Sequence, residues 1–387
     1  MSWKETCVMD EKVRFIVECN ESEESFAELC RRFGISRKTG YKWIERYQQK
    51  GAEGLMDQAP VARTRPHERE GEVIEAVVAL RKEHANWGPK KLRGYLVDHQ
   101  PQVHWPAAST IGDWLNKYGL VRRQRRRIRA PMEYGGQQWG KEPNQVWCAD
   151  FKGWWVMGDS RKCYPLTITD ECSRYLLKSE GMVQTTTKPV MEHFERAFRE
   201  YGLPGQLKTD NGPPFASRGP GGLTALSVWW IKLGIVPVHI EPGEPQQNGR
   251  HERMHLTMEQ DLLKPQADLL DQQRALDMFR REYNQERPHE ALGQTPPARH
   301  YVASSRQMPA QPQSPAYQDM TVRWANSSGQ ISWRGRPLPV GSCLGGEPVG
   351  LRQISETGWE VRYGPVRLGV VDDRDEQRRL RPGQDGQ

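Results

Sequence analysis

The sequence at residues 144–157, NQVWCADFKGWWVM, marks a change from helical to β periodicity and decides the class of fold. It is rich in Val and Trp, and residues 162–182, KCYPLTITDECSRYLLKSEGM, extend the pattern with Ile, Thr and Tyr, which favour strands. Helical and strand-like stretches then alternate as far as a helix at about residues 250–263. This order, β-β-β-α-β-α-β-α, predicts a mixed α/β core built in layers.

Upstream of this core the sequence predicts a helix-turn-helix. Residues 25–47, SFAELCRRFGISRKTGYKWIERY, contain an apolar helical face, a turn at Gly34 and a natural N-cap at Ser36. The helix after Ser36 offers polar side chains suited to a major groove. The residues expected to contact DNA there are Arg37, Lys38, Tyr41, Lys42 and Arg46. Small helical hairpins also occur in proteins that do not bind DNA, so the pattern alone leaves a structural role open.

A second helical set lies between this segment and the β-rich core. It consists of VIEAVVALRKEHA at residues 73–85, GPKKLRGYLVDH at 88–99 and PAASTIGDWLNKYGL at 106–120. Two helical DNA-binding units in tandem would cover a long site, and we expect Lys90 and Lys91 to contribute contacts. A helical spacer is the alternative that the pattern leaves open.

The positive charge of the chain is concentrated in one segment. The formal net charge is +7, from 56 Lys and Arg against 49 Asp and Glu, and residues 117–129 hold seven basic residues without an acid. Without these seven the two signs balance, so this segment is expected to grip a polyanion through phosphate contacts. The arginines expected to bind DNA are Arg122, Arg123, Arg125, Arg126, Arg127 and Arg129. A solvated linker is the alternative interpretation.

The C-terminal part of the sequence predicts a linker followed by a small β-barrel. Residues 304–315, SSRQMPAQPQSP, have a linker composition, and five short strand-like segments separated by Gly, Asn and Ser turns follow. The predicted domains are a helix-turn-helix domain at 1–60, a second helical DNA-binding domain with an arginine-rich end at 61–130, an α/β core at 131–303, a linker at 304–316, and a five-stranded barrel with a charged tail at 317–387.

The sequence also argues against several classes of protein. No run of about 18 apolar residues is present, and charges occupy the N-terminal positions where a signal peptide has its apolar stretch. The seven cysteines are scattered and no two form a C-x-x-C motif, which argues against a disulfide framework or a thiolate zinc site. We therefore expect a cytoplasmic protein with reduced thiols.

Three carboxylates stand out by their positions. Asp150 lies inside the aromatic run, Asp210 ends a predicted strand just before an Asn-Gly turn, and Glu252 lies in the first turn of the helix after PQQNG at 245–249. An isolated carboxylate is costly in such surroundings, whereas carboxylates on adjacent strand ends bind hard cations that bring substrate phosphates with them. Many chains contain two Asp and one Glu that could be drawn together, so the surrounding sequence has to decide.

The surrounding sequence resembles that of bacterial insertion-sequence transposases, the DDE transposases whose RNase H-like catalytic core is similar to that of retroviral integrases. The resemblance extends over six ordered segments, of which the helix-turn-helix is the first. The others are NWGPKKLRGYL at 86–96, VWCADFKG at 146–153, LKTDNGPPF at 207–215, EPGEPQQNGRHER at 241–253 and YNQERPHEALGQTPPARHY at 283–301. The C-terminal strands resemble small β-barrels that follow such cores and assist DNA binding.

The resemblance implies a DNA transposase that binds the ends of its mobile element and catalyses metal-dependent strand cleavage and strand transfer into target DNA. It assigns Asp150, Asp210 and Glu252 as the catalytic, metal-binding residues, with two Mg²⁺ ions per site and Mn²⁺ as a substitute. Asp150 would bridge the ions, and Asp210 and Glu252 would each complete one coordination shell. The implied partners are double-stranded element ends and target DNA. A dimer or higher oligomer on DNA and a location at the bacterial nucleoid are also implied.

Alternatives remain at the candidate site. The stretch between Asp210 and Glu252 is longer than is usual in this family, with the surplus in ASRGPGGL at 216–223, and Glu259 is the alternative third ligand. Residues 251–255, HERMH, also fit H-E-x-x-H, which places two imidazoles on one helix face for zinc. No further histidine motif follows it, which disfavours zinc proteolysis. The alternative of a different class is a domesticated DNA-binding regulator with an inactive core.

Overall fold

The structure is a computed structural model that describes residues 7–57, 71–121, 140–240, 245–262, 264–375 and 379–381. The chain divides into two compact units, Met1–Arg69 and Glu70–Gln387. Among the described helices, none combines the length and the apolar character needed to cross a membrane.

The described residues of the first unit contain three short helices, the last two of which lie in the predicted helix-turn-helix. They are α1 (Val8–Glu21), α2 (Phe26–Arg32) and α3 (Arg37–Lys50), and a tight turn at Gly51–Leu55 follows. Ser36 caps α3, because its hydroxyl accepts a hydrogen bond from the Thr39 N–H at 3.1 Å. Helices α2 and α3 lie close together, since a Cβ on Gly40 would come within 2.8 Å of the Phe26 ring. The hydrogen bond from the Thr39 N–H confirms the predicted N-cap at Ser36.

The second unit begins with three further helices, the second helical set. They are α4 (Gly71–Glu83), α5 (Pro89–His99) and α6 (Ala108–Lys117). Trp87 and Trp105 lie in their shared core and are 1% and 4% exposed. Their large apolar surfaces are therefore buried within this set.

A six-stranded mixed sheet with four helices forms the central part of the second unit. Its elements are β1 (Val146–Phe151), β2 (Trp155–Val156), β3 (Lys162–Asp170), β4 (Leu176–Met182), α7 (Thr187–Tyr201), β5 (Gln206–Thr209), α8 (Ala225–Lys232), β6 (Val236–His239), α9 (Gly249–Asp261) and α10 (Leu269–Gln285). Strand β1 pairs antiparallel with β3 and parallel with β5, β6 extends the parallel side, and β2 and β4 both pair with β3. The predicted mixed α/β core is confirmed, while β2 and α10 go beyond the prediction.

Alternate residues along the strands contact different helices. Trp147 on β1 stacks on Phe198 of α7 with ring centroids 5.9 Å apart, and belongs to the large core shared with α7 and α8. Thr167 on β3 instead contacts α9 through His251. Because successive strand residues point to opposite faces, the side chain of Asp150 lies on the face that α9 covers.

The second helical set is docked against the ends of α9 and α10. His84 Nδ1 lies 3.0 Å from Glu282 Oε1, and Asn86 Nδ2 donates to the Gln260 carbonyl oxygen at 2.8 Å. The backbone of Gly94 approaches the segment after α10 so closely that a Cβ would lie 2.8 Å from the Cβ of Gln294. The set and the core therefore form parts of one compact unit.

The C-terminal strands form two sheets. Their bounds are β7 (Thr321–Trp324), β8 (Gln330–Trp333), β9 (Arg336–Pro339), β10 (Pro348–Gln353), β11 (Gly358–Tyr363) and β12 (Val366–Asp372). The order β12-β11-β10-β7 makes an antiparallel sheet, and β8 and β9 make a hairpin. The predicted closed five-stranded barrel is not confirmed, because no strand pairing of the described residues closes the four-stranded sheet. Strand β9 contains Pro337 and Pro339. Proline has no backbone N–H to donate to a neighbouring strand and is uncommon in strands, so the sequence pattern did not predict β9.

The segment predicted as a linker runs along the core. The Ser304 N–H donates to the Tyr201 carbonyl oxygen at 2.8 Å, and the Leu203 N–H donates to the Arg306 carbonyl oxygen at 2.7 Å. Gly202 has a φ of +75° and lies under this segment, where a Cβ would be 2.5 Å from the Ser304 oxygen. The start of the segment is thus fixed by backbone hydrogen bonds, and the domain boundaries stay predictions.

We expect Gly202→Ala to destabilise this region more than Gly293→Ala does. Gly293 also has a positive φ, +64°, but no atom lies within 4 Å of its added Cβ, so that variant carries backbone strain of about 1–2 kcal/mol alone. Gly202→Ala adds a steric clash of about 1–3 kcal/mol. Thermal melting and limited proteolysis within 304–316 measure the difference. Equal melting shifts with unchanged cleavage would show that the segment is not held in this way.

Candidate active site

Parallel pairing of β1 and β5 brings two of the predicted carboxylates together. Ala149 is in register with Thr209, so Asp150 and Asp210, the next residue along each chain, lie side by side where the strands end. The Asp150 carboxylate accepts a hydrogen bond from Asn248 Nδ2 at 3.0 Å. The residue just before α9 therefore contacts the end of β1 directly.

The third predicted carboxylate, Glu252, lies on the first turn of α9 and is exposed. Burial, the charge of Asp210 and, to a smaller extent, the charge of Glu252 raise the pKa of Asp150 to about 6, against the opposing hydrogen bond from Asn248. Burial also raises the pKa of Asp210, whose Oδ1 is buried without a hydrogen-bond partner among the described residues. The charges of Asp210 and Glu252 thus both act on Asp150, and we call Asp150, Asp210 and Glu252 the carboxylate cluster.

The alternative third carboxylate, Glu259, has a cationic partner. Lys152 Nζ lies 2.9 Å from Glu259 Oε1, two helical turns beyond Glu252 on α9. Glu252 has a direct electrostatic effect on Asp150, whereas the charge of Glu259 is compensated by Lys152. The ion pair with Lys152 distinguishes Glu259 from Glu252, and the choice of Glu252 as the third member of the cluster stays a prediction.

A buried charge network lies beside the carboxylate cluster. Lys208 Nζ donates to the Gln247 carbonyl oxygen at 2.7 Å and lies 3.5 Å from Glu171, and the two charged residues are 1% and 4% exposed. Glu171 also accepts a hydrogen bond from the Cys148 thiol at 2.7 Å and pairs with Arg250 at 3.1 Å. These contacts tie the start of α9 to β1 and β5. Sequence reasoning missed Lys208 and Glu171, although a lysine within the predicted strand QLKT was a signal, because a buried charge needs partners.

The two histidines of the H-E-x-x-H motif lie on the buried face of α9. His251 and His255 are 2% and 7% exposed, and the Nε2 atom of each lies 2.7 Å from Thr167 Oγ1. Burial lowers the pKa of His255 to about 3 and that of His251 well below its usual value, so both imidazoles are neutral. One potential ligand atom from each of Asp150, His251 and His255 lies within 4.8 Å of the others. Both imidazoles nevertheless already have hydroxyl partners inside the fold.

The DNA-binding residues predicted on α3 lie largely at the surface. Arg37, Lys38, Tyr41 and Lys42 are exposed, with Tyr41 at 61%. Arg46 is half-buried, with its guanidinium carbon 5.2 Å from the centroid of the Trp43 ring. The exposed side chains are available for contact with a polyanion.

The basic residues predicted in the second helical set have protein partners. Lys90 Nζ lies 2.6 Å from Glu290, and Lys91 Nζ donates to the Pro288 carbonyl oxygen. Burial and the nearby Arg287 and Arg253 lower the pKa of Lys91 to about 8. In this arrangement Lys91 holds the helical set to the core.

The arginine-rich segment lies outside the described residues. The predicted DNA contacts Arg122, Arg123, Arg125, Arg126, Arg127 and Arg129 belong to it. Their role stays a prediction from the sequence.

Comparison with protein families connects this site to insertion elements. Residues 140–245 and 233–297 each match a family model described as an integrase core domain, and residues 320–379 match the C-terminal domain of IS481 family transposases. Residues 9–55 and 39–115 match homeodomain-like domains. The predicted resemblance to insertion-sequence transposases with an integrase-like core is confirmed, as is the helix-turn-helix character of the N-terminal region.

Two insertion-element proteins are similar in sequence. The IS476 uncharacterized 39.2 kDa protein of Xanthomonas euvesicatoria is 28% identical over 227 residues, which are 57% of this chain and 62% of that protein. The IS407 uncharacterized 31.7 kDa protein of Burkholderia multivorans is 28% identical over 180 residues, 46% of this chain and 62% of that protein. The chain thus matches less than two thirds of the length of either relative.

Among solved structures, the chain is similar to an HTLV-2 integrase catalytic core domain in complex with magnesium. The sequence identity is 21%, the TM-score is 0.33, and the match covers 42% of this chain and 99% of that one.

We expect Asp150→Asn to stabilise the metal-free protein at pH 8. The pKa of Asp150 in the fold, about 6, lies above its ordinary value of 3.8, so the ionised carboxylate opposes folding. This penalty is complete above pH 6 and disappears as the pH falls toward 4, and it amounts to about 1–3 kcal/mol. Asparagine keeps an acceptor for Asn248, so the hydrogen bond survives.

Thermal melting in a chelator at pH 8 and pH 4.5 measures this effect. Asp159→Asn is the matched control, since its hydrogen bonds from Arg161 lower the pKa of Asp159 and ionisation there favours folding. A gain for Asp150→Asn that is equal at both pH values, or no gain at pH 8, would contradict the electrostatic account.

Proposed function

We propose that this chain is a DNA transposase that binds the ends of its mobile element and uses Asp150, Asp210 and Glu252 for strand cleavage and strand transfer into target DNA. The observation that carries this proposal is that the pairing of β1 and β5 places Asp150 beside Asp210, while Asn248, just before the helix that carries Glu252, donates a hydrogen bond to the Asp150 carboxylate. The similarity to integrase core domains and to insertion-element proteins supports the same reaction class. In such a reaction the protein acts as a polynucleotidyl transferase and a DNA strand nuclease.

The residues of the cluster fit a divalent metal. Their donors are carboxylate oxygens, which suit Mg²⁺ and Mn²⁺, and the partnerless buried Oδ1 of Asp210 is an acceptor that a cation would satisfy. A cation would also offset the burial and repulsion that raise the pKa of Asp150. We infer two Mg²⁺ ions per site, which Asp150, Asp210 and Glu252 would hold.

The residues of this chain orient the reacting groups in the proposed mechanism. Bound metal would lower the pKa of a water or of a 3′-hydroxyl and stabilise the leaving oxygen at phosphorus. Asn248 fixes one oxygen of Asp150 by its hydrogen bond, and Lys208 fixes the backbone just before Asn248. Glu252 is exposed on the first turn of α9, where a DNA backbone can approach it.

We further propose that double-stranded DNA is bound through the exposed face of α3 and the arginine-rich segment, and that the protein acts as a dimer or higher oligomer. Joining two element ends to one target requires that both ends be held together, which supports the oligomer. The alternative, a regulator with an inactive core, predicts DNA binding without cleavage. Retention of all three carboxylates supports the enzyme.

We expect Asp150→Asn, Asp210→Asn and Glu252→Gln each to lower cleavage of an element end by about 1,000-fold while end binding is retained. Each substitution keeps the shape of the side chain and removes a metal-binding charge that supplies several kcal/mol in the transition state. Glu259→Gln is the control on the same helix and should cleave normally. Cleavage by purified protein with Mg²⁺, Mn²⁺ or chelator, alongside a gel-shift assay, measures both properties.

Other outcomes of this experiment are equally informative. Normal cleavage by all three variants would place the active site elsewhere. Loss in Glu259→Gln with retention in Glu252→Gln would reassign the third ligand. Binding without cleavage by the unaltered protein would support the regulator, and stoichiometric zinc with peptide hydrolysis would support the H-E-x-x-H alternative.

We expect replacement of Arg122, Arg123, Arg125, Arg126 and Arg127 by Ala to weaken binding to element ends and to random DNA alike. Phosphate contacts carry little sequence information, and each contributes about 0.9 to the slope of log affinity against log salt concentration. Loss of five contacts should therefore lower the magnitude of that slope by about 4.5. Fluorescence anisotropy at several salt concentrations measures it. An unchanged slope would identify the segment as a solvated linker.

A further inference from the structure

A single threonine connects the strand that carries Asp150 to the helix that carries Glu252. Thr167 lies opposite Asp150 in the pairing of β1 and β3, and its side chain is fully buried. Its hydroxyl donates to the Asp150 carbonyl oxygen at 3.1 Å and contacts the Nε2 atoms of His251 and His255, each at 2.7 Å. One oxygen atom thus makes three hydrogen bonds between two elements of the candidate active site.

The three hydrogen bonds of the Thr167 hydroxyl permit one arrangement of their protons. A carbonyl oxygen can only accept, so the single hydroxyl proton of Thr167 is directed to Asp150. Both histidines must then donate from Nε2 to the Thr167 oxygen. The remaining nitrogen of His251, Nδ1, accepts from the Thr169 hydroxyl at 3.0 Å. Thr167 therefore has its full hydrogen-bonding capacity in use, with one donor and two acceptor positions filled.

The spacing of the histidines on α9 fixes the rotation of the helix. Residues 251 and 255 are four positions apart, so they lie on one face, and Glu252 follows the first of them. Two contacts to one atom on β3 hold that face against the sheet. The direction in which Glu252 leaves the helix is set by the same two contacts.

We propose that Thr167 is a positioning residue, which fixes the backbone of Asp150 relative to α9, the helix that carries Glu252, and thereby supports metal binding by the two carboxylates. The proposal rests on the proposed function of the carboxylate cluster. Thr167 acts through the Asp150 backbone and through the two imidazoles, and its hydroxyl is bonded to these groups rather than to the carboxylate oxygens. The histidines of the H-E-x-x-H sequence then serve to orient α9.

The test uses the full chain with Thr167→Val, which keeps the shape of the side chain and removes the hydroxyl. Two buried N–H donors and one carbonyl oxygen would lose their partner, so α9 should shift relative to β1. Groups that orient metal ligands typically contribute 10- to 100-fold to metal affinity, and we expect the half-saturating Mn²⁺ concentration to rise by about that factor. Electron paramagnetic resonance of Mn²⁺ in the absence of DNA measures this directly. Cleavage against Mg²⁺ concentration should show the same shift, with a much smaller change in the rate at saturation.

Three companion variants separate positioning from general loss of stability. Thr167→Ser restores the hydroxyl and should restore Mn²⁺ affinity. Thr257→Val is the matched control, because Thr257 is also buried on this part of the fold but bonds only the Arg253 carbonyl oxygen of its own helix, at 3.1 Å. Thr169→Val removes one link of the network and should weaken Mn²⁺ binding by a smaller factor. This last variant provides the test if Thr167→Val fails to fold.

The proposal is overturned if Thr167→Val binds Mn²⁺ as the unaltered protein does, or if Thr257→Val weakens binding equally. If Thr167→Val does not fold, the proposal is overturned by a Thr169→Val protein that binds Mn²⁺ as the unaltered protein does. Asp150→Asn in the same assays distinguishes this failure from failure of the proposed function. If Asp150→Asn loses Mn²⁺ binding and cleavage while Thr167→Val keeps both, the positioning role alone is wrong. If Asp150→Asn keeps both, the carboxylate cluster itself is not the active site.

Discussion

Two carboxylates that repel each other stand at the ends of adjacent parallel strands, and the rest of the candidate site is arranged around that constraint. Asp150 and Asp210 are neighbours because β1 and β5 pair in parallel register, and burial makes their charges costly. The fold compensates without neutralising them. Asn248 donates a hydrogen bond to Asp150, while the buried Lys208 donates to the backbone carbonyl just before Asn248 and pairs with Glu171. The cluster therefore keeps the negative charge that a cation requires.

Sequence patterns could predict the carboxylates because each stands at a point where periodicity changes. Asp150 lies in the first strand of the core, Asp210 ends a strand before an Asn-Gly turn, and Glu252 begins a helix. The groups that support them were not predictable in the same way. Lys208 and Thr167 matter through partners far away in the chain, and a strand pattern gives no information on which buried polar groups will meet. Only the pairing of β1, β3 and β5 brings these partners together.

Local composition did not indicate all of the backbone contacts in the C-terminal part of the chain. The proline-rich segment after residue 304 has the composition of a linker, yet its backbone bonds to Tyr201 and Leu203 of the core. Strand β9 contains two prolines and pairs with β8 alone. Both segments contain prolines, which usually indicate that a segment makes few regular backbone hydrogen bonds, yet both make such bonds here. Lys91, which the sequence predicts to bind DNA, donates a hydrogen bond to the Pro288 carbonyl oxygen of the core, a contact that its sequence context did not indicate.

The docking of the second helical set fixes the distance between that set and the carboxylate cluster. His84, Asn86 and Gly94 hold α4 and α5 against α9 and α10, and α9 also carries Glu252. If this set binds DNA, as the sequence predicts, the duplex on it lies at a distance from the carboxylates that the protein fixes. The number of base pairs between the bound sequence and the cut phosphate is then a constant of the molecule. Inserting a single base pair in that interval displaces the phosphate by about 3.4 Å along the helix axis, more than the length of a metal–oxygen bond.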